Sequence, residues 1–305
     1  MKRILHIFII SLLATSLYAQ DVDYARKYDL LVSRLGPAGV GVETVLDKWM
    51  KVDSTNIRML SARVTYYLEK SRSTEVLTKS SKTYLGHQPV LALKDSTGAD
   101  IYYYQLYKYN DEVFGQAVAE ADRAAAIHPF MLDFRFMKAN AYISYERESP
   151  DMALSYLMEL IDEDNLGSRK WTYDGKEVEK TFFKDAINEY CATFYALDTP
   201  SSMEAFFALS QKMSSLYPSD ASFVTNIGSY YMKAKNDPKK ALKLYAKAVK
   251  LNPKDYPSVK NAVIASRKTK NVKQEKKYLA LLATVAPENE KAAVNARLAA
   301  LNKKK

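Results

Sequence analysis

The sequence is poor in the residues that break regular structure. Only 9 glycines and 10 prolines occur in 305 residues, and apolar residues make up 48% of the chain. This composition excludes a disordered chain, because enough apolar surface is present to form a core. Cysteine occurs once, as Cys191, so no intramolecular disulfide is possible. Its apolar helical context, NEYCATFY, favours a buried structural thiol over a reactive one.

Long apolar runs are missing beyond the N-terminus. Residues 1–19 combine the basic pair Lys2-Arg3, an apolar run over 4–13, and a cleavage pattern ending at Ala19. We therefore expect a signal peptide over 1–19, with the mature chain starting at Gln20. The alternative is a retained membrane anchor, but the apolar run is shorter than the ~20 residues of a spanning helix. No cysteine follows the run, so the expected location is the periplasm, without a lipid anchor.

Motifs for catalysis are missing as well. HExxH, GxSxG, CxxC and phosphate-binding glycine loops do not occur, and only His87 and His128 follow residue 19. The sequence thus predicts no catalytic residue, no metal site and no cofactor. Asp162, Glu163 and Asp164 could bind a hard cation, although such a run at a helix end is usually solvated. A carboxylate-based hydrolase on a helical scaffold remains the alternative, because 35 acidic residues make chance pairs certain.

Charge is unevenly distributed along the chain. Residues 20–198 carry a net charge of −6, whereas residues 199–305 carry +14. This asymmetry fits either an acidic partner for the C-terminal part or a solvated lysine surface. Nucleic-acid binding through the basic part is disfavoured by the predicted export, and also because the tyrosine cluster at 102–109 lies far along the chain from the lysines.

Two helical stripes occupy residues 219–252. In the first stripe, Val224, Ile227, Gly228 and Tyr231 fall on one helical face, and Asp237-Pro238 then starts a second helix. On the second helix the small residues Ala241 and Ala248 lie on either side of the ring of Tyr245 in sequence, a pattern that suits tight helix–helix packing. The residues predicted to pack this unit are Gly228, Tyr231, Ala241, Tyr245, Ala248 and Pro253.

This unit resembles the tetratricopeptide repeat, a helix pair of about 34 residues. The spacing supports the resemblance, since Pro218, Pro253 and Pro287 are 35 and 34 residues apart. The runs LKDSTG, YNDEVF, HPFMLDFRF and WTYDGKE are also similar to exported tetratricopeptide-repeat proteins of Gram-negative bacteria for which no activity is known. The resemblance implies an all-α, right-handed superhelical solenoid of antiparallel helix pairs.

The predicted organisation follows from these repeats. After the signal peptide come degenerate helix pairs at 20–85, an insertion at 86–110, degenerate pairs at 111–217, two clear repeats at 218–287 and a capping helix at 288–305. Within the insertion, β-rich runs flank Asp95–Gly98 and predict a hairpin near 89–105, with a helix over 101–107 as the alternative. A short helix is expected over 74–84, and at most one hairpin in the whole chain.

The resemblance also implies a function. In tetratricopeptide repeats the first helix of each pair lines a concave surface that binds a protein or peptide. We therefore expect a non-catalytic scaffold with a protein or peptide partner, for which an acidic segment is one alternative. Nucleic acid is not expected as a partner. The implied contact residues on this chain are Thr225, Ser229, Lys233, Lys260, Ile264, Arg267 and Lys268.

Overall fold

The computed structural model describes residues 23–303 except 147, 168 and 169, so the predicted signal peptide lies outside the described residues. Within that range the chain is mainly helical, with two small antiparallel sheets. None of the described helices is long and apolar enough to cross a membrane. In chain order the elements are α1 (Tyr24–Leu35), α2 (Val42–Val52), α3 (Ile57–Ser71), β1 (Arg72–Lys79), β2 (Leu91–Lys94), β3 (Asp100–Tyr109), α4 (Asp111–Ile127), α5 (Leu132–Glu146), α6 (Asp151–Asn165), β4 (Thr172–Tyr173), β5 (Lys176–Glu177), α7 (Lys180–Leu197), α8 (Pro200–Leu216), α9 (Ala221–Lys233), α10 (Pro238–Leu251), α11 (Tyr256–Lys268), α12 (Val272–Val285) and α13 (Glu288–Lys303).

The two regular repeats are the helix pairs α9–α10 and α11–α12. Each helix packs on the next one, and α11 also contacts α9. A side-chain cap starts each of the four helices: Asp220, Asp237, Asp255 and Asn271 accept hydrogen bonds from backbone N–H groups of the first turn. The predicted all-helical solenoid is therefore confirmed, and its helix starts follow directly from the capping residues.

Close packing of α9 on α10 depends on Gly228. A Cβ atom at this position would lie 2.6 Å from Cε1 of Tyr245, so only glycine leaves room for the ring. Ala241 and Ala248 are fully buried in the same repeat, and Tyr231 is half-buried against Phe207 and Tyr230. Five of the six predicted packing residues therefore lie in helix interfaces.

Pro253 is the exception among the predicted packing residues. It is exposed in the turn after α10 and contributes to no helix interface. Its physical role is to end the helix, because proline has no N–H to donate and the residue before it avoids helical geometry.

Helix α4 packs on α3, although a sheet separates the two helices in sequence. The chain leaves α3 at Ser71 and returns at Asn110, whose N–H donates to the Ser71 carbonyl at 2.8 Å. Ala117 and Ala121 of α4 are buried. They lie 12 and 8 residues before Pro129, the same offsets at which Ala241 and Tyr245 precede Pro253. Helix α3 therefore contacts α2 but packs more extensively on α4, with the insertion lying between α3 and α4 in the chain.

The insertion is a three-stranded antiparallel sheet with strand order β1-β3-β2. The predicted hairpin is present as β2–β3, around a turn in which Asp95 Oδ1 accepts from the Thr97 and Ala99 amides. The short helix expected over 74–84 is wrong, because β1 occupies residues 72–79 and pairs along its whole length with β3. The alternative helix over 101–107 is also excluded by that pairing.

A second hairpin lies between α6 and α7, so the expectation of at most one hairpin is wrong. Strands β4 and β5 are joined by Asp174-Gly175, both with positive φ, as a tight hairpin turn requires. The same dipeptide is a turn signal in the sequence, but strands of two residues leave too little periodicity to be predicted.

Candidate functional site

A groove of about 450 Å³ runs along the first helices of the repeats. We call it the inner groove. Helices α9 and α11 supply most of its surface, with further side chains from α7, α8 and α10. Its lining mixes apolar and polar side chains: Ala192, Tyr195, Phe206, Thr225, Asn226, Ser229, Met232, Tyr245, Pro257, Asn261 and Ile264.

Hydrogen bonds fix part of the groove wall. Thr225 and Ser258 share a hydrogen bond of 2.5 Å between their hydroxyl oxygens, which ties α9 to α11. Ser229 donates to the Thr225 carbonyl and accepts from the Tyr245 hydroxyl at 3.2 Å. Burial raises the pKa of Tyr245 to about 12, so this hydroxyl stays protonated and donates at neutral pH. These side chains of the wall are thus held by hydrogen bonds within the chain.

Asparagines from the first helices α9 and α11 lie on the groove surface. The Asn226 amide nitrogen donates to the Asn188 side-chain oxygen at 2.9 Å, linking α9 to α7. Asn261 lies on the groove surface of α11. An asparagine side chain offers two donors and one carbonyl acceptor, which matches the N–H and C=O groups of an extended peptide backbone.

Three of the residues predicted from the resemblance are brought together in this groove, namely Thr225, Ser229 and Ile264. Thr225 is almost fully buried, so its role is to join two helices. Ser229 is half-buried, and Ile264 is 41% exposed. Ile264 is therefore the most accessible apolar contact among them.

Three of the four predicted cations have carboxylate partners within the chain. Lys233 lies 2.8 Å from Asp198 and 4.4 Å from the centre of the Tyr195 ring. Lys260 lies 2.9 Å from Glu290 in the first turn of the capping helix α13.

The Arg267 guanidinium lies 3.2 Å from Glu275, a carboxylate whose side chain is only 4% exposed. Arg297 of α13 contacts the same oxygen at 2.9 Å. Burial alone would raise the pKa of Glu275, but the two arginines outweigh it and hold the pKa below its ordinary value. Lys268 is exposed and has no carboxylate partner among the described residues.

The three acidic residues that were candidate cation ligands each contact a different side chain of the protein. Asp162 pairs with Lys212, and the Trp171 indole donates to Asp164 at 2.8 Å. Glu163 lies 3.5 Å from Arg135. In the described part of the chain no group of three His, Cys, Asp or Glu side chains could hold a metal ion.

His128 and Cys191, whose side chains could act in catalysis, have structural roles. The His128 ring nitrogen lies 2.7 Å from the Thr55 carbonyl, and the ring stacks on Phe134. Cys191 is fully buried, as predicted, and burial raises the pKa of its thiol to about 12. Neither residue is poised as a nucleophile or general base.

The asparagines and Tyr195 are groove residues that the sequence reasoning did not single out. A signal for two of them is present, because Asn226 and Asn261 are 35 residues apart, the same distance as Pro218 and Pro253. Equal spacing places them at equivalent positions of consecutive repeats. Tyr195 has no such signal, since α7 belongs to a degenerate repeat.

Comparisons with known proteins give similarities of fold only. No protein-family model matches the chain, and no curated protein matches it either. Among solved structures, the chain is similar to pilF of Pseudomonas aeruginosa, with 18% identity, a TM-score of 0.41, and coverage of 63% of this chain and 78% of that chain. It is similar to the APC/C heterotetramer Cut9–Hcn1 at 12% identity and a TM-score of 0.35, covering 91% of this chain and 48% of that one.

A third similarity is to the TPR2AB domain of yeast Sti1 in its pHSP90 complex, with 12% identity and a TM-score of 0.27. This match covers 64% of this chain and 92% of that chain. Because these TM-scores and identities are low, the description of the fold rests on the helix packing, repeat length and caps of this chain. On those grounds the described part of the chain is a helical solenoid of the tetratricopeptide type.

Proposed function

We propose that this protein is a non-catalytic scaffold that binds an extended peptide segment of a partner protein in the inner groove. The observation that carries the proposal is the groove itself, a preformed surface in which apolar side chains alternate with amide and hydroxyl groups. Extended peptides need both kinds of contact, because their backbone hydrogen bonds must be satisfied while apolar side chains leave water.

The proposed contacts divide by chemistry. Asn226, Asn261 and Ser229 face the peptide backbone, while Met232 and Ile264 receive apolar side chains. The proposed binding surface extends beyond the groove through four cations, Lys233, Lys260, Arg267 and Lys268. An acidic partner would engage Lys268 directly, but it would have to compete with Asp198, Glu290 and Glu275 for the other three cations.

Export to the periplasm is part of the proposal. It rests on the basic, apolar and cleavage segments of residues 1–19. N-terminal sequencing of the protein recovered from the cell envelope should find Gln20 as the first residue. An intact Met1 would contradict export by this route.

The alternative of a carboxylate-based hydrolase gains no support from the geometry. The buried or half-buried carboxylates contact arginines, lysines, capping amides or an indole, and none of those in the described residues lines the inner groove. Incubation of the pure protein with candidate polymeric substrates should give no turnover, and sustained turnover would favour the enzyme.

Affinity purification with a groove variant tests the scaffold. Tagged wild-type protein and the variant Ile264→Arg are used to recover partners from the cell envelope. Arginine at this exposed position adds length and charge to the groove without burying a charge, so the fold should survive while the partner is lost. The matched control is Val52→Arg, on a 69% exposed residue of α2 far along the chain.

The expected result is a protein that co-purifies with the wild type and with the control but not with Ile264→Arg. Equal recovery on all three would show that the inner groove is not the binding surface.

A further inference from the structure

The carboxylates of the C-terminal part of the chain are all engaged. Residues 199–305 contain 21 Lys and Arg but only 7 Asp and Glu. Asp237 and Asp255 accept from helix N-termini, and Asp220 caps α9 while pairing with Lys184. The other four form ion pairs with cations: Glu204 with Lys235, Glu275 with Arg267 and Arg297, Glu288 with Lys291, and Glu290 with Lys260. Each carboxylate of this segment therefore has a partner of its own, and none pairs with the remaining lysines among the described residues.

The uncompensated lysines lie mainly on the second helices of the two regular repeats. We define the outer lysine face as Lys239, Lys243, Lys247 and Lys250 on α10 together with Lys273 and Lys277 on α12. All six side chains are exposed, and none makes an ion pair within the part of the chain that the structure describes.

This face points away from the inner groove. At about 100° per residue, the four α10 lysines span an arc of about 80°, and Tyr245, which lines the groove, lies about 160° from the centre of that arc. On α12, Lys273 and Lys277 are one turn apart, and they project away from the buried residues Tyr278, Leu279 and Leu282. On the first helices Lys233, Lys260 and Arg267 are ion-paired and Lys268 is not, as far as the described residues extend, so most of the free positive charge of the repeats is on the outer side.

We propose that the outer lysine face binds an anionic lipid surface. Clustered lysines are attracted to anionic headgroups as point charges and need no specific geometry. Two large apolar side chains are exposed beside the lysines, Leu251 at 38% next to Lys250 and Val272 at 50% next to Lys273. Such side chains enter the headgroup region of a bilayer, which adds to the electrostatic attraction.

Several features favour lipid over nucleic acid. The outer lysine face contains no arginine, so it lacks the bidentate fork that grips phosphates and guanine edges. Tyr245 and Tyr278 of these helices are buried, so no ring is available to stack on bases. The binding is independent of the inner groove, and a groove occupied by a partner protein would leave it unchanged.

Vesicle co-sedimentation tests the proposal. The full mature chain is mixed with phosphatidylglycerol–phosphatidylcholine vesicles, with pure phosphatidylcholine vesicles, and in parallel with duplex and single-stranded DNA. The test variant is the triple change Lys243→Glu, Lys247→Glu and Lys250→Glu. The matched control makes the same change of net charge at Lys27, Lys48 and Lys51, which are exposed and lie on α1 and α2. Circular dichroism confirms that both variants are folded.

The wild type and the control should sediment with the anionic vesicles at low salt, and binding should fall as salt is raised. Each lysine near an anionic surface contributes about fivefold to the partition coefficient, so the triple variant should bind at least about a hundredfold more weakly.

The proposal is overturned by any of four results. If the wild-type protein does not sediment with anionic vesicles, the outer lysine face serves only as a solvated surface. Equal binding to pure phosphatidylcholine would remove the role of charge. Equal loss in the control would show that only net charge matters. Tighter binding to either DNA than to the vesicles would make nucleic acid the ligand.

Discussion

At the residue scale, the contact between Gly228 and Tyr245 sets the distance between the two helices of the first regular repeat. The Tyr245 ring lies directly over the glycine, and it is held there by its hydrogen bond to Ser229 and by the fully buried Ala241 and Ala248 on the same helix. Any side chain at 228 must displace a buried ring or separate the helices.

Replacing Gly228 by alanine should therefore lower the free energy of unfolding by about 1–3 kcal/mol, the usual cost of overpacking. This loss occurs even though alanine improves helix propensity by about 1 kcal/mol. Gly115→Ala on α4 is the matched control, because a Cβ there meets no atom within 4 Å. The control should be neutral or stabilised in urea denaturation. Equal stability of the two variants would contradict the assigned packing.

Cys191 gives a second prediction at this scale. Its thiol is buried and has a pKa of about 12, against an ordinary value near 9. The native protein should therefore resist alkylation by iodoacetamide at pH 8, and it should react at the rate of a free thiol once unfolded in urea. Mass spectrometry of the timed reaction measures both rates. Rapid modification of the native protein would show that the core around α7 opens.

At the residue scale, the sequence alone predicts packing residues but not ion pairs. Gly228, Ala241, Tyr245 and Ala248 are predictable because repeat spacing and residue size leave one packing solution. The ion pairs are not predictable, because Lys233 meets Asp198 and Lys260 meets Glu290 across 35 and 30 residues. Such pairs depend on how successive helices are placed, which residue patterns do not encode.

At the element scale, Glu275 joins three helices. Its carboxylate on α12 contacts Arg267 of α11 and Arg297 of the capping helix α13, while α13 also buries Val294 and Leu301. A terminal helix is needed to cover the last apolar face of a solenoid. The ion pairs fix its position against the final repeat.

Glu275→Gln should lower stability at neutral pH by about 2 kcal/mol, in the range of hydrogen bonds to charged groups. The pKa of Glu275 is lowered in the folded state, so this stabilisation is present above the unfolded-state pKa and is lost as pH falls through the folded-state value. The difference between variant and wild type should therefore shrink in acid.

Denaturation in urea at neutral and at acidic pH measures this change. Glu290→Gln serves as the control, because the side chains of Lys260 and Glu290 are 41% and 34% exposed, so this ion pair should contribute less than that of the buried Glu275. A difference for Glu275→Gln that does not depend on pH would mean that packing, and not charge, accounts for the effect.

The sheet inserted between α3 and α4 is the element that the sequence predicts least well. Its β2–β3 hairpin follows from the Asp95–Gly98 turn. Strand β1, however, has a mixed pattern of exposed and half-buried residues, and it is stabilised by pairing with β3 some 30 residues away. Because strand formation depends on such pairing, local propensity predicts a helix there incorrectly.

At the scale of the whole molecule, the chain presents two different surfaces. The inner groove is lined by amide, hydroxyl and apolar groups, and three of the four cations around it are paired with carboxylates. The outer side of the regular repeats carries the uncompensated lysines. This division suggests a scaffold that holds a peptide on one side while its other side rests on an anionic surface.

The central claim is that the inner groove holds a partner protein, and site-specific photo-crosslinking in the native cell envelope tests it most directly. Benzoylphenylalanine is placed at Ile264 in the groove or at Lys247 on the outer lysine face, both of which are exposed and tolerate a large side chain. The account predicts a discrete protein adduct from position 264 and none of that mass from position 247. An adduct from 247 alone, or no protein adduct from 264 when the protein is correctly folded, would contradict it.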